Sequence, residues 1–184
     1  MAKMPTAEYR KRQDGNATVF DVTAAKAPKF TTMIGMGIFC IVLGLGFMGS
    51  DGGLGVVAFL MGGFCLWYGW TRDIRPKGYK ENASFRVTSD TIEANGRRFT
   101  KDDIHRLLVR NGISDEEMGM VQYDMSAAQA SGLAYRAKVG TIANALTVES
   151  GGKSTILAGG MDGTTAFGLL SDVSKVIGFQ HQNY

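Results

Sequence analysis

The chain has 184 residues, with 20 lysines and arginines against 17 aspartates and glutamates, and a formal net charge of +3. This length allows one domain of modest size beside a smaller element. The excess positive charge is concentrated next to two apolar runs, so the sequence lacks the basic stripe on a folded domain that is typical of nucleic-acid binding.

Residues 1–29 precede the first apolar run and contain six basic and three acidic side chains. The short run from Thr18 to Val22 is compatible with a strand or a docking peptide. The segment otherwise has little periodicity, and we expect a mobile tail with a basic patch at its end.

Two uncharged runs follow, over residues 30–48 and 54–70, and five small or polar residues join them. An apolar run of about 18 residues is long enough to cross the hydrocarbon layer as a helix, which satisfies its own backbone hydrogen bonds. A buried helix pair would show a polar face, and a signal peptide would begin near residue 1. The sequence therefore predicts a transmembrane helical hairpin over residues 30–70, with the lipid bilayer as its first partner.

Basic residues flank the hairpin on both sides, whereas the connecting loop carries only Asp51. Because basic residues stay on the cytoplasmic side, we expect a multi-pass protein with both termini cytoplasmic. Trp67, Tyr68 and Trp70 fit an interfacial aromatic belt. The flanking residues that we expect to contact anionic lipid headgroups are Lys26, Lys29, Arg72, Arg75 and Lys77, the last three in a basic linker over 71–77.

Glycines recur every seven residues within the hairpin, as Gly37 and Gly44 in the first run and Gly55, Gly62 and Gly69 in the second. Residues seven apart share a helix face, and small residues let helices approach closely in lipid. These strips are expected to face each other or a partner helix.

A further glycine face formed by Gly35, Gly46 and Gly63 is a candidate for docking on other membrane helices or on a second copy of the chain. Cys40 and Cys65 lie inside the runs and show no metal-ligand spacing, so they are expected to act as small packing residues.

Residues 78–184 form a candidate cytoplasmic domain. Asn95-Gly96 is a strong signal for a two-residue β-hairpin turn, and Gly151-Gly152 marks a second turn. Alternation and turn signals predict strands over 83–89, 91–95, 97–100, 135–139, 145–149 and 153–158. Residues 104–110 are predicted to form a further strand or a short helical turn followed by a strand.

Two further segments complete the domain. Residues 111–131 are poorly patterned, and their Met118, Met120 and Met125 are candidates for an adaptable partner contact. A C-terminal amphipathic helix begins at Asp162 or Thr164, and Gly178 is a stop signal for it.

The stretch FRVTSDTIEANGRRFTKDDI, over residues 85–104, and the closing stretch 157–177 resemble the bacterial pleckstrin-homology-like (PH-like) domains that follow paired membrane spans. The resemblance implies an antiparallel PH-like sheet or barrel, closed by the C-terminal amphipathic helix. It also implies a bacterial inner membrane and a binding or scaffolding role, and it carries over no catalytic residue. The expected fold is thus a membrane α-helical hairpin plus an α+β domain.

Catalytic motifs are not convincing in this sequence. The run GGKST at 151–155 resembles the end of a P-loop, but position 147 is threonine and the run continues as a strand rather than a helix. His105 and His181 have no plausible nucleophile or orienting partner. We expect no catalytic, cofactor or metal site and no small-molecule substrate, so the chain is not expected to be an enzyme.

Two functions fit these observations. The first is a non-catalytic accessory or scaffold subunit of a larger bacterial inner-membrane complex, in which the hairpin packs on partner helices and the cytoplasmic domain contacts partners. The alternative is a membrane-anchored PH-like module that responds to anionic lipids.

Overall fold

A computed structural model describes residues 6–50, 52–113 and 127–179 of the chain. These residues form two compact units. The hairpin unit contains residues 27–50, 52–74 and 127–135, and the sheet unit contains residues 6–26, 75–113 and 136–179. The fold class is α+β, with four α-helices and two antiparallel sheets in the described part of the chain.

Two antiparallel helices occupy the uncharged runs of the hairpin unit, α1 over Thr31–Phe47 and α2 over Gly52–Thr71. Their bounds lie within two residues of the predicted ones. Among the helices that the structure describes, α2 is long and apolar enough to cross a membrane, whereas α1 is apolar but has only 17 residues.

The larger sheet contains five antiparallel strands in chain order: β1 (Glu8–Asp14), β2 (Ala17–Thr23), β3 (Ala83–Val87), β4 (Thr91–Ala94) and β5 (Arg97–Thr100). The predicted turn between β4 and β5 is confirmed. Asn95 and Gly96 have φ angles of 52° and 72°, the left-handed conformation that this tight turn requires.

The expectation of a mobile tail is wrong for residues 8–23, which form β1 and β2. Phe20 of β2 is fully buried, faces Phe85 of β3, and stacks on it with ring centroids 5.4 Å apart. The tail is ordered because β2 brings apolar side chains to a core that it shares with Phe85 and later residues, more than 60 positions further along the chain.

The second sheet has the order β6 (Ile104–Asn111), β7 (Asn144–Ser150) and β8 (Lys153–Met161). Gly151 and Gly152 form the predicted turn between β7 and β8, with φ angles of 56° and 72°. The strand predicted over 135–139 is wrong, because these residues belong to α3 (Ala127–Gly140). Tyr135 and Val139 are both buried and lie one helical turn apart.

Of the two predicted forms, a sheet or a barrel, the described residues form antiparallel sheets and not a closed barrel. A short 3-10 turn over Lys101–Asp103 follows β5, and β6 begins a separate sheet rather than pairing with β5. The core lies between the two sheets and one helix, with Ile92 from the first sheet, Leu146 and Leu157 from the second, and Leu169 from α4.

The C-terminal helix α4 (Gly163–Ile177) confirms the amphipathic helix predicted for this end of the chain. The Asp162 side chain caps it by accepting a hydrogen bond of 3.0 Å from the Thr165 backbone N–H. Gly178 ends the helix with a φ angle of 72°.

Candidate functional site

The five glycines spaced by seven residues form the contact between α1 and α2, which we call the glycine seam (Gly37, Gly44, Gly55, Gly62 and Gly69). All five are buried. A methyl group added to Gly62 would lie 2.7 Å from the Gly37 carbonyl oxygen, and one on Gly44 would lie 2.9 Å from the Gly55 carbonyl oxygen. The two backbones are therefore in direct contact, and no larger side chain fits between them.

The other glycine face points away from the seam. A methyl group on Gly35, Gly46 or Gly63 would meet nothing within 4 Å. Gly63 was predicted to contact a helix in the same way as the seam glycines, but it lies on the outer face of α2 and not in the seam. These three positions leave shallow gaps in the outer surface of the hairpin.

The outer surface of both helices is apolar, with large hydrophobic side chains along its whole length. Ile38 on α1 is 55% exposed, and Leu60 and Phe64 on α2 are 68% and 59% exposed. Neither helix contains a charged residue. Large contiguous apolar surfaces of this kind mark contact with a membrane or with other proteins.

Aromatic and basic side chains gather at the end of the hairpin where α1 begins and α2 ends, and we call this group the collar. The Lys29 ammonium lies 3.2 Å from the centroid of the Trp70 ring, and the Arg72 guanidinium lies 4.8 Å from that of Tyr68. The members of the collar are Lys29, Phe30, Trp67, Tyr68, Trp70, Arg72 and Tyr135.

Tyr135 joins the collar from α3, whereas the alternation over 135–139 predicts a strand there. Its ring stacks on Phe30 with centroids 4.7 Å apart, and its hydroxyl donates a hydrogen bond of 2.6 Å to the Arg72 carbonyl oxygen. The four-residue spacing of Tyr135 and Val139 was the available signal for a helix.

The five basic residues expected at lipid headgroups are not equivalent. Lys29 and Arg72 belong to the collar. Arg75 is only 5% exposed and donates a hydrogen bond of 2.9 Å to the Ala25 carbonyl oxygen, so its assignment to headgroups is wrong. Lys26 and Lys77 are exposed residues of the sheet unit.

The remaining predicted residues carry little further information. Met118, Met120 and Met125 lie outside the described residues. Cys40 and Cys65 are half-buried free thiols. Among the residues that the structure describes, no group of three or more histidine, cysteine, aspartate or glutamate side chains is placed to hold a metal ion.

An open depression of about 630 Å³ lies on the outer face of the five-stranded sheet. Two ion pairs cross the strands in its lining, Arg86 with Asp14 and Arg98 with Glu93, and Arg12 and Arg97 also line it. The lining contains no histidine, cysteine or tyrosine, so it offers none of these side chains as a nucleophile or general base.

The shifted pKa values in the sheet unit belong to structural contacts. Burial alone would raise the pKa of Asp162, but hydrogen bonds from Thr165 and from the Ala7 backbone N–H outweigh it and lower that pKa. A hydrogen bond from Arg106 lowers the pKa of Glu149. Burial, followed by the hydrogen bond to Asp172, raises the pKa of Tyr9. These groups tie strands and helices together rather than line a site.

No protein-family model matches the sequence, and neither the curated proteins nor the solved structures compared with it give a match. The functional interpretation therefore depends on the geometry of the hairpin and its collar.

Proposed function

We propose that the protein is a non-catalytic, membrane-embedded accessory or scaffold subunit whose α1–α2 hairpin crosses the bilayer twice. The observation that carries the proposal is the outer surface of the hairpin, which is apolar and exposed along both helices. The seam joins the helices through their backbones and leaves this surface for lipid and for partner helices.

The pairing of β2 with β3 supports two crossings rather than one. The chain leaves the five-stranded sheet at Thr23 and returns to it at Ala83, and Val22 pairs directly with Ala83. The Ala24 N–H also donates a hydrogen bond of 3.0 Å to the Asn82 side chain. If α2 crossed the membrane alone, residues on either side of it would be on opposite faces of the bilayer and these contacts would be impossible.

The length of α1 is compatible with this topology. At 1.5 Å per residue, 17 residues span about 25 Å, somewhat less than the average hydrocarbon thickness of about 30 Å. Local thinning of the bilayer accommodates such a mismatch at modest cost.

The basic residues favour a cytoplasmic location for both chain ends, because Lys29 and Arg72 lie at the collar and the loop between the helices has none. The resemblance to PH-like proteins favours a bacterial inner membrane.

The topology is tested with single cysteines in a variant whose Cys40 and Cys65 are alanine. We compare Ser50→Cys in the connection between the helices with Gln13→Cys and Ser154→Cys on exposed strand positions of the sheet unit. In intact cells an impermeant maleimide should label position 50 only, and positions 13 and 154 should react after permeabilisation. Release of the protein from membranes by alkaline carbonate, or labelling of 13 and 154 from opposite sides, would contradict the proposal.

The accessory role is tested by mild-detergent extraction of the full chain and mass spectrometry of co-purifying proteins. Gly63→Leu fills a gap on the outer face without touching the seam, so it should reduce recovery of membrane partners while the hairpin stays folded. Substitution of an exposed apolar residue, Leu60→Val, is the matched control. Recovery of the wild-type chain without any stoichiometric membrane protein would rule out the accessory role.

A further inference from the structure

The collar combines aromatic rings with two cations that lie on them, at one end of an otherwise apolar hairpin. Trp67 and Trp70 are 62% and 63% exposed, so their rings are available to an external partner. Indole rings have an apolar body and an N–H donor, and they prefer the headgroup level of a bilayer.

Each of the two cations of the collar lies close to an aromatic ring. Lys29 is exposed and lies on the Trp70 ring, and Arg72 is half-buried and lies on the Tyr68 ring. Arg72 directly follows α2, where its backbone N–H donates a hydrogen bond of 3.0 Å to the Tyr68 carbonyl oxygen one turn earlier, and Trp70 projects from a different side of the helix. The two cation–ring pairs therefore lie on different sides of the hairpin rather than in a single pocket.

The collar is also chemically unlike the other end of the hairpin. The connection between α1 and α2 contains no basic residue, whereas the collar end has Lys29 and Arg72 on its aromatic rings. Asp73 follows Arg72 and is the acidic residue nearest to the collar in the sequence. Two cations that are fixed by aromatic rings complement phosphate groups at the surface of a membrane.

We propose that the collar selects anionic phospholipids, with Lys29 and Arg72 contacting the headgroup phosphates of lipids on two sides of the hairpin. This inference rests on the proposed membrane location of the hairpin. The proposal assigns the headgroup contacts to Lys29 and Arg72, whose cations lie on aromatic rings, and excludes Arg75 because it is buried. A basic residue near an anionic membrane surface contributes about fivefold in affinity, so each pair should enrich anionic lipid by a factor of this size.

The chain has only two tryptophans and both belong to the collar, so tryptophan fluorescence reports on this region alone. We reconstitute the full protein with lipids brominated near the headgroup end of the acyl chain, either phosphatidylglycerol or phosphatidylcholine at the same mole fraction. Bromine quenches tryptophan on contact, and the ratio of the two quenching curves gives the lipid preference. The wild-type collar should prefer phosphatidylglycerol severalfold.

Charge variants separate recognition from packing. Lys29→Gln and Arg72→Gln should each abolish the roughly fivefold enrichment at one pair, so each single variant keeps part of the preference and the double variant loses it. Lys29→Arg and Arg72→Lys should retain most of the preference. Equal quenching by both lipids in the wild type would overturn lipid selection. A loss of preference in Lys29→Arg and Arg72→Lys as large as that in the glutamine variants would overturn it too. Either result would leave the membrane location standing. Absence of quenching by either lipid would overturn the membrane location as well.

Discussion

Replacing Gly62 with alanine is expected to separate α1 from α2, whereas the same change at the neighbouring Gly63 is not. The added methyl at Gly62 would lie 2.7 Å from both the Gly37 carbonyl oxygen and the Ile41 side chain. Carbon atoms prefer about 3.5–4.0 Å, so the helices must move apart by about 0.8 Å, and a gap of this size forfeits a quarter to a half of each dispersion contact.

Overpacking of this kind costs about 1–3 kcal/mol. Gly63 has open space, and alanine there should be neutral or stabilise the helix by up to about 1 kcal/mol. The two adjacent substitutions should therefore differ by about 1–4 kcal/mol, the sum of these two ranges.

The assay is unfolding of the full protein in mixed micelles by titration with sodium dodecyl sulfate, followed by the fluorescence of the two tryptophans on α2. Gly62→Ala should shift the transition to a lower detergent fraction than the wild type, and Gly63→Ala should not. If both variants unfold together, or if Gly62→Ala is the more stable one, then the seam does not hold the helices in backbone contact and the reasoning fails.

Three further predictions concern the sheet unit and are measured by the thermal unfolding of the full chain. Arg75→Met leaves the buried Ala25 carbonyl oxygen without this donor and should cost about 1.5–3 kcal/mol, whereas a headgroup ligand would cost little. Because the pKa of Asp162 is lowered in the folded state, its stabilisation should be complete above about pH 4 and be lost on further acidification, and Asp162→Asn should flatten that loss. The pKa of Tyr9 is raised above 10.0, so its contribution is present below that pH and is lost as the pH rises through the folded-state pKa. Tyr9→Phe removes the hydrogen bond to Asp172, which should cost about 1 kcal/mol at neutral pH and abolish this alkaline dependence.

Sequence patterns located the parts of the fold that short-range chemistry determines. Asn95-Gly96 and Gly151-Gly152 adopt positive φ angles wherever they occur between strands, so both turns were predictable. The C-terminal helix was predictable for a similar reason, because Asp162 and Gly178 provide its own start and stop signals.

The errors concern elements that long-range contacts determine. Strand β1 is charged and exposed along most of its length, and it is ordered by its ladder with β2 and by the contacts of Tyr9 and Lys11 with Asp172 of α4. The burial of Arg75 cannot be seen in the sequence either, where it resembles any other basic residue that follows an apolar run. Tyr135 was misread because alternation over five residues also fits one helical turn.

The insertion of the hairpin between β2 and β3 explains how such distant strands can pair. Thr23 and Ala83 are 60 positions apart, but the Phe30 N–H donates a hydrogen bond of 3.0 Å to the Gly69 carbonyl oxygen and closes the base of the hairpin. Once α1 and α2 have paired, about 20 residues remain to be closed instead of about 60, which lowers the loop-closure cost by about 1 kcal/mol. The glycine seam thus favours the pairing of β2 with β3, because it keeps the two ends of the inserted segment together.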